Sequence, residues 1–152
     1  MIGRYRPYIG QEEFKSLFNF EDDTVEKFEE EFSKLVGAKY GVSFRYGRSG
    51  LYALLKSEGI SNSEILMPSY TCIVVPNAVV HSGNIPRFLN ISLNDFNIDL
   101  AKIENKISKK TKVVIPTHMY GYPMDVKTLK EITGEEILIV EDCALAILSK
   151  YK

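Results

Sequence analysis

The sequence has 152 residues, of which 45% are hydrophobic and 26% charged. This is ordinary globular composition with enough chain for one core, and it excludes a disordered tail, a collagen-like chain and a coiled coil. With 19 basic and 20 acidic residues the net charge is −1, so no basic excess points to nucleic acid.

Residues 1–23 are polar, aromatic and acidic, with no clear period, and Met1–Gly10 lack the apolar segment of a signal peptide. A helix is predicted next. Val25, Phe28, Phe32 and Leu35 recur at helical spacing, with glutamates on the opposite face. Asp22, Asp23 or Thr24 can cap its start, and Gly37 can end it. The acidic runs Glu12-Glu13, Glu21–Asp23 and Glu29–Glu31 read as solvated faces.

Strands and helices then alternate. Tyr40–Phe44 reads as a strand, Ser49–Ser57 as a helix closed by Gly59, and Glu64–Met67 as a strand ended by Pro68. Ile73–His81 reads as a helix, with Pro76 in its first turn or at a kink. Ile85–Ile91 is a strand whose Pro86 suits a sheet edge. Asp99 can cap a helix bearing Leu100, Ile103 and Ile107. Lys112–Pro116 and Ile137–Val140 are buried-type strands. Between them Asp125 can cap a helix bearing Val126, Leu129 and Ile132, ended near Gly134. This alternation predicts an α/β fold with a mostly parallel sheet of about five strands. No apolar run approaches the roughly 20 residues of a membrane helix, and a soluble, reducing, cytoplasmic setting is expected.

In open parallel sheets, ligands collect where strands end. Gly47-Arg48-Ser49-Gly50 lies between a strand and a helix. Free N–H groups, the Ser49 hydroxyl and the Arg48 guanidinium there suit a phosphate, although a plain glycine turn reads as well. Cys72 follows the Glu64–Met67 strand and reads as a buried structural thiol, since neither histidine has support as its base. Asp142 ends the ILIV strand with Glu141. A metal, a ribose or a protonated heterocycle nitrogen would each offset its burial, and a helix N-cap is an equal reading. His118 sits in a Gly/Pro turn and reads as structural. The two cysteines fit no zinc spacing, and two histidines make a histidine-rich metal site unexpected. A small Rossmann-like nucleotide binder would need a glycine fingerprint that GRSG does not supply.

Taken together, the segments RPYIGQEEF (from Arg6), Phe28–Tyr40, Gly47–Leu55, Glu64–Val80, Pro116–Asp125 and Ile139–Ala146 follow one order. That order resembles the DegT/StrS-type sugar aminotransferases, whose strings read RP-x-(I/L)-G-x-x-E, P-V-H-L-Y-G-x-P-x-D and (I/V)-(I/V)-E-D-A-A-(H/Q)-A at the matching places. The resemblance implies an aspartate-aminotransferase-like large domain and a pyridoxal 5'-phosphate cofactor. It also implies a keto-sugar nucleotide substrate for surface polysaccharide, and an amino donor such as glutamate. Members of that family are dimers, so a homodimer or a complementing chain is implied.

Carried over by position, Arg48 and Ser49 fall where the family holds the cofactor phosphate. Asp142 falls where it pairs with the pyridine nitrogen. Cys72 stands where many members stack an aromatic on the ring, a loss Tyr70 could offset, and Leu145 stands where a His or Gln hydrogen-bonds near the phenolic oxygen. The family's Schiff-base lysine lies some tens of residues after the aspartate, so Lys150 and Lys152 come too early to be it. The expectation is therefore of a truncated N-terminal portion of the large domain spanning 1–152, without the small domain and inactive by itself. The alternative is a non-catalytic remnant or one half of a split aminotransferase.

Overall fold

A computed structural model describes residues 9–18 and 22–151. Arg6, Pro7 and Tyr8 of the opening segment, Glu21 of an acidic run, and Lys152 lie outside the described residues. The chain divides into two compact units, residues 1–43 and 44–152.

In the first unit, α1 (Gln11–Ser16) is a short helix that the absence of a period did not predict. The Glu13 carboxylate accepts the Gly10 N–H at 2.8 Å, which satisfies one orphan donor at its start. Helix α2 (Thr24–Val36) follows, with Asp23 at its N-cap position and Gly37 ending it at φ 71°. The Phe28 and Phe32 rings lie on one face with centroids 5.7 Å apart. Lys27–Asp23 and Lys34–Glu30 pair along the exposed polar side.

The Tyr40–Phe44 strand does not form. Among the described residues this segment has no strand partner. Its Ser43 N–H and hydroxyl both donate to the Glu29 carboxylate instead. Glu29, on this solvated face, thus also makes a specific bond, and its carboxyl lies below its ordinary value because of those bonds. Gly41 is required here, since a Cβ would meet the Glu29 carbonyl oxygen at 2.5 Å.

The second unit is a four-stranded, all-parallel sheet, one strand fewer than the pattern suggested. Its strands are β1 (Glu64–Pro68), β2 (Ile85–Leu89), β3 (Thr111–Val114) and β4 (Leu138–Ile139), in the order β2-β1-β3-β4. Pro86 lies in the β2 edge strand as expected. Residues along β1 and β3 alternate between two apolar layers. Ile65, Met67, Val113 and Ile115 pack with Leu55 of α3 (Gly47–Ser57) and with Val75 and Val79 of α4 (Val74–His81). Leu66 and Val114 pack on the other face with Ile103 of α5 (Leu100–Ile103) and Leu129 of α6 (Val126–Thr133). Both faces of the sheet are therefore covered, which explains its near-continuous apolar strands.

Pro76 sits in the first turn of α4, where its missing N–H costs nothing. Asp125 caps α6, its carboxylate accepting the Thr128 N–H at 3.0 Å and the Thr128 hydroxyl at 2.8 Å. The helix after Asp99 is shorter than expected. It tightens into a 3₁₀ turn over Glu104–Lys106, leaving Ile107 outside.

Candidate functional site

Parallel strands place every strand C-terminus on one edge, and the predicted residues of β1 and β4 meet there. The β3–β4 ladder runs past the last assigned strand residues. The Asp142 N–H donates to the Pro116 carbonyl at 2.8 Å, and the His118 N–H donates to the Asp142 carbonyl at 3.1 Å. Asp142 is thus locked by its backbone between residues 116 and 118. Its side chain is half-buried. Oδ1 accepts the Ala144 N–H at 3.1 Å, and Oδ2 takes no hydrogen bond among the described residues. No helix begins here, so the N-cap reading gives way to a local turn that leaves one carboxylate oxygen available.

Thr71, from the loop after β1, reaches the same edge. Its hydroxyl lies 3.2 Å from that of buried Thr117. Cys72 follows and is exposed, contrary to the expected buried thiol. It precedes α4 in a loop after the C-terminal end of β1, where its carbonyl accepts the Val75 N–H. Tyr70 turns away to a cluster with Phe96 and Tyr120, ring centroids 6.0–6.4 Å apart. The Tyr70 and Tyr120 hydroxyls are hydrogen-bonded at 2.5 Å, and this bond holds the Tyr120 phenol above its ordinary value. Leu145 is exposed.

Arg48 and Ser49 occupy the first turn of α3, with Tyr46 at the N-cap position. The Ser49 and Gly50 N–H groups return to the Tyr46 carbonyl. Among the described residues, the Gly47 and Arg48 N–H groups and the Ser49 hydroxyl take no partner, so they remain donors for an anion. The Arg48 guanidinium lies over the Tyr46 ring, 4.2 Å from its centroid. Gly50 lets α3 start close to Phe44, since a Cβ would meet that ring at 3.1 Å. No hydrogen bond joins this turn to Asp142 or Thr71 among the described residues.

Two further residues organise the edge. Buried Asn97 donates to the Tyr122 carbonyl and accepts the Met119 N–H, tying the loop after β2 to the loop after β3. His118, also buried, accepts the Met124 N–H at Nδ1 and lies 2.9 Å from Glu141 through Nε2. A cleft of about 540 Å³ opens beside it, lined among others by Asp125, Lys127, Glu141, Cys143 and Tyr151. Burial, then the charges of Glu141 and Asp142, pushes the Cys143 thiol up. Ligand atoms of His118, Glu141 and Cys143 lie within 4.8 Å of one another. That set does not suit a cation as arranged. Nδ1 already accepts a hydrogen bond, so Nε2 carries the ring proton and offers no lone pair.

Among the described residues, no helix is long and apolar enough to cross a membrane. The parallel sheet, covered on both faces and with its polar groups at the strand ends, is consistent with part of an aspartate-aminotransferase-like large domain. Residues 13–152 match the DegT/DnrJ/EryC1/StrS aminotransferase family, and the chain belongs to that family.

The chain is 29% identical to GDP-perosamine synthase of Escherichia coli O157:H7, over 100% of this chain and 42% of that protein. It is 30% identical to the spore coat polysaccharide biosynthesis protein SpsC of Bacillus subtilis, over 96% of this chain and 40% of that protein. The crystal structure of NtdA from Bacillus subtilis, with bound cofactor PMP, superposes with a TM-score of 0.77. It is 29% identical and covers 81% of this chain and 29% of that one. The chain spans about two fifths of the length of the curated relatives it matches.

Proposed function

We propose that this chain carries the cofactor-binding portion of a pyridoxal-phosphate-dependent aminotransferase. The whole protein would act on a keto-sugar nucleotide for amino-sugar or surface-polysaccharide synthesis. The observation that carries this reading is the Asp142 carboxylate: half-buried, fixed at the end of β4, with one oxygen uncommitted. A carboxylate so placed suits a protonated ring nitrogen, whose charge offsets its partial burial. The open donors of Gly47, Arg48 and Ser49 suit a phosphate. The Asp142 acceptor and the donors of the α3 first turn suit the two ends of pyridoxal phosphate.

When bound, the protonated pyridine ring would draw electrons from the carbon that exchanges the amine. Asp142 would keep the nitrogen protonated, Arg48 and Ser49 would anchor the phosphate, and Cys72 would offer the ring less stacking surface than an aromatic. The Schiff-base lysine would come from outside residues 1–152, as would most contacts that choose the amino donor and the sugar nucleotide, from further chain or from a partner in a homodimer or complementing chain. A cytoplasmic setting belongs to the same proposal.

The test is equilibrium dialysis of pyridoxal phosphate against the chain. Binding is expected to be noncovalent and weak, lost in D142A and reduced in the double variant R48A/S49A. Equal binding by all three proteins contradicts the assignment.

A second reading is favoured by Leu145, which cannot make the hydrogen bond of the His or Gln it replaces. On that reading the chain is a non-catalytic remnant or one half of a split enzyme. Borohydride reduction with pyridoxal phosphate, then peptide mapping, tests what both readings share, that no lysine of residues 1–152 forms the Schiff base. A stoichiometric adduct on one lysine, with amine transfer to a keto-sugar nucleotide, overturns both.

A further inference from the structure

The side chain of His118 is only 4% exposed and is held at both ring nitrogens. Nδ1 accepts the Met124 N–H at 2.9 Å, so it carries no proton. The single proton of the neutral ring is therefore on Nε2, 2.9 Å from Glu141 Oε2. On the backbone side, the His118 N–H donates to the Asp142 carbonyl. Adjacent residues Glu141 and Asp142 thus grip one histidine, the first by its side chain and the second by its main chain.

We propose that the Glu141–His118 pair is a positioning device for Asp142. His118 fills the space under the turn, and its fixed tautomer gives Glu141 a donor to hold. That bond fixes the peptide between residues 141 and 142 and thereby aims the Asp142 carboxylate. His118 and Glu141 touch no reacting atom in this account; they act through Asp142. The functional consequence rests on the cofactor reading of Asp142, whereas the mechanical coupling does not.

Amide hydrogen exchange on the whole chain, without cofactor, tests the coupling. Glu141→Ala removes a charge-assisted bond from a half-exposed side chain. It is expected to speed exchange at the His118 and Asp142 amides by about tenfold. The Ile85 and Ser69 amides, bonded across β1 and β2, stay within about twofold and report that the fold is intact. Glu141→Gln keeps an acceptor for the Nε2 proton and is expected to restore protection. Nitrogen-15 NMR of the imidazole is expected to show Nε2 protonated and Nδ1 bare. An unchanged Asp142 amide in Glu141→Ala, or a proton on Nδ1, overturns the proposal.

Pyridoxal phosphate is the functional probe. Weaker binding in Glu141→Ala, restored in Glu141→Gln, is expected. If the Asp142 amide responds while D142A leaves that binding unchanged, the positioning stands and the cofactor assignment falls.

Discussion

The hydroxyls of Thr71 and Thr117 lie 3.2 Å apart and bridge the loops that leave β1 and β3. Thr117 also neighbours Asp142 across the β3–β4 ladder. This pair therefore links the loop bearing Cys72 to the strand end bearing Asp142. Replacing Thr71 by Val leaves the buried Thr117 hydroxyl without its partner and is expected to cost about 1–3 kcal/mol. The double variant T71V/T117V should cost less than the sum of the single changes. Denaturant unfolding of the four proteins measures this coupling.

Leu55 and Leu129 are both fully buried, one on each side of the sheet. Either change to Ala is expected to cost about 2–5 kcal/mol. Because the two sites lie in different layers, their effects should add in the double variant, as read by unfolding midpoints.

Asp125 gives a pH-dependent contribution. The Thr128 N–H, then the Thr128 hydroxyl, hold its carboxyl below the ordinary value. A carboxylate depressed in the folded state stabilises the fold above its unfolded pKa, and that stabilisation is lost as pH falls through the folded pKa. D125A should therefore be less stable than wild type at neutral pH. The difference should vanish in acid below the depressed value, and paired thermal melts across pH check it.

The two cysteines should differ in reactivity. Cys143 is raised by partial burial and by the charges of Glu141 and Asp142, so less of it is thiolate near neutrality. Both cysteines are exposed, so the raised Cys143 thiol decides the order, and Cys72 should alkylate first. E141Q should speed alkylation at Cys143 and leave Cys72 unchanged. Site-resolved mass spectrometry after iodoacetamide gives both rates.

Local chemistry made much of the fold legible. Hydrophobic runs located β1, β2 and β3, Asp125 announced the cap of α6, and Pro86 marked the sheet edge. Tyr40–Phe44 has the same strand-like pattern, yet a strand needs a ladder partner, and Glu29 takes its Ser43 donors instead. The position of Asp142 at a strand end could be read from ILIV followed by ED. Its hold on His118 could not, since residues 23 or 24 apart in sequence meet only through the β3–β4 pairing. Asn97 was missed for the same reason. An isolated Asn in a loop gives no signal until Met119 and Tyr122 are brought to it. The exposure of Cys72 depended on which end of the sheet lies open, and composition does not carry that.

On the proposed reading, Asp142 would keep a bound pyridine ring protonated. Nitrogen-15 NMR of pyridoxal phosphate labelled at the ring nitrogen, bound to the chain and to its D142N variant, tests it most directly. A protonated nitrogen is expected in the wild-type complex at a pH where the free ring has lost its proton, and a bare nitrogen in D142N. The same nitrogen signal in both complexes would contradict it.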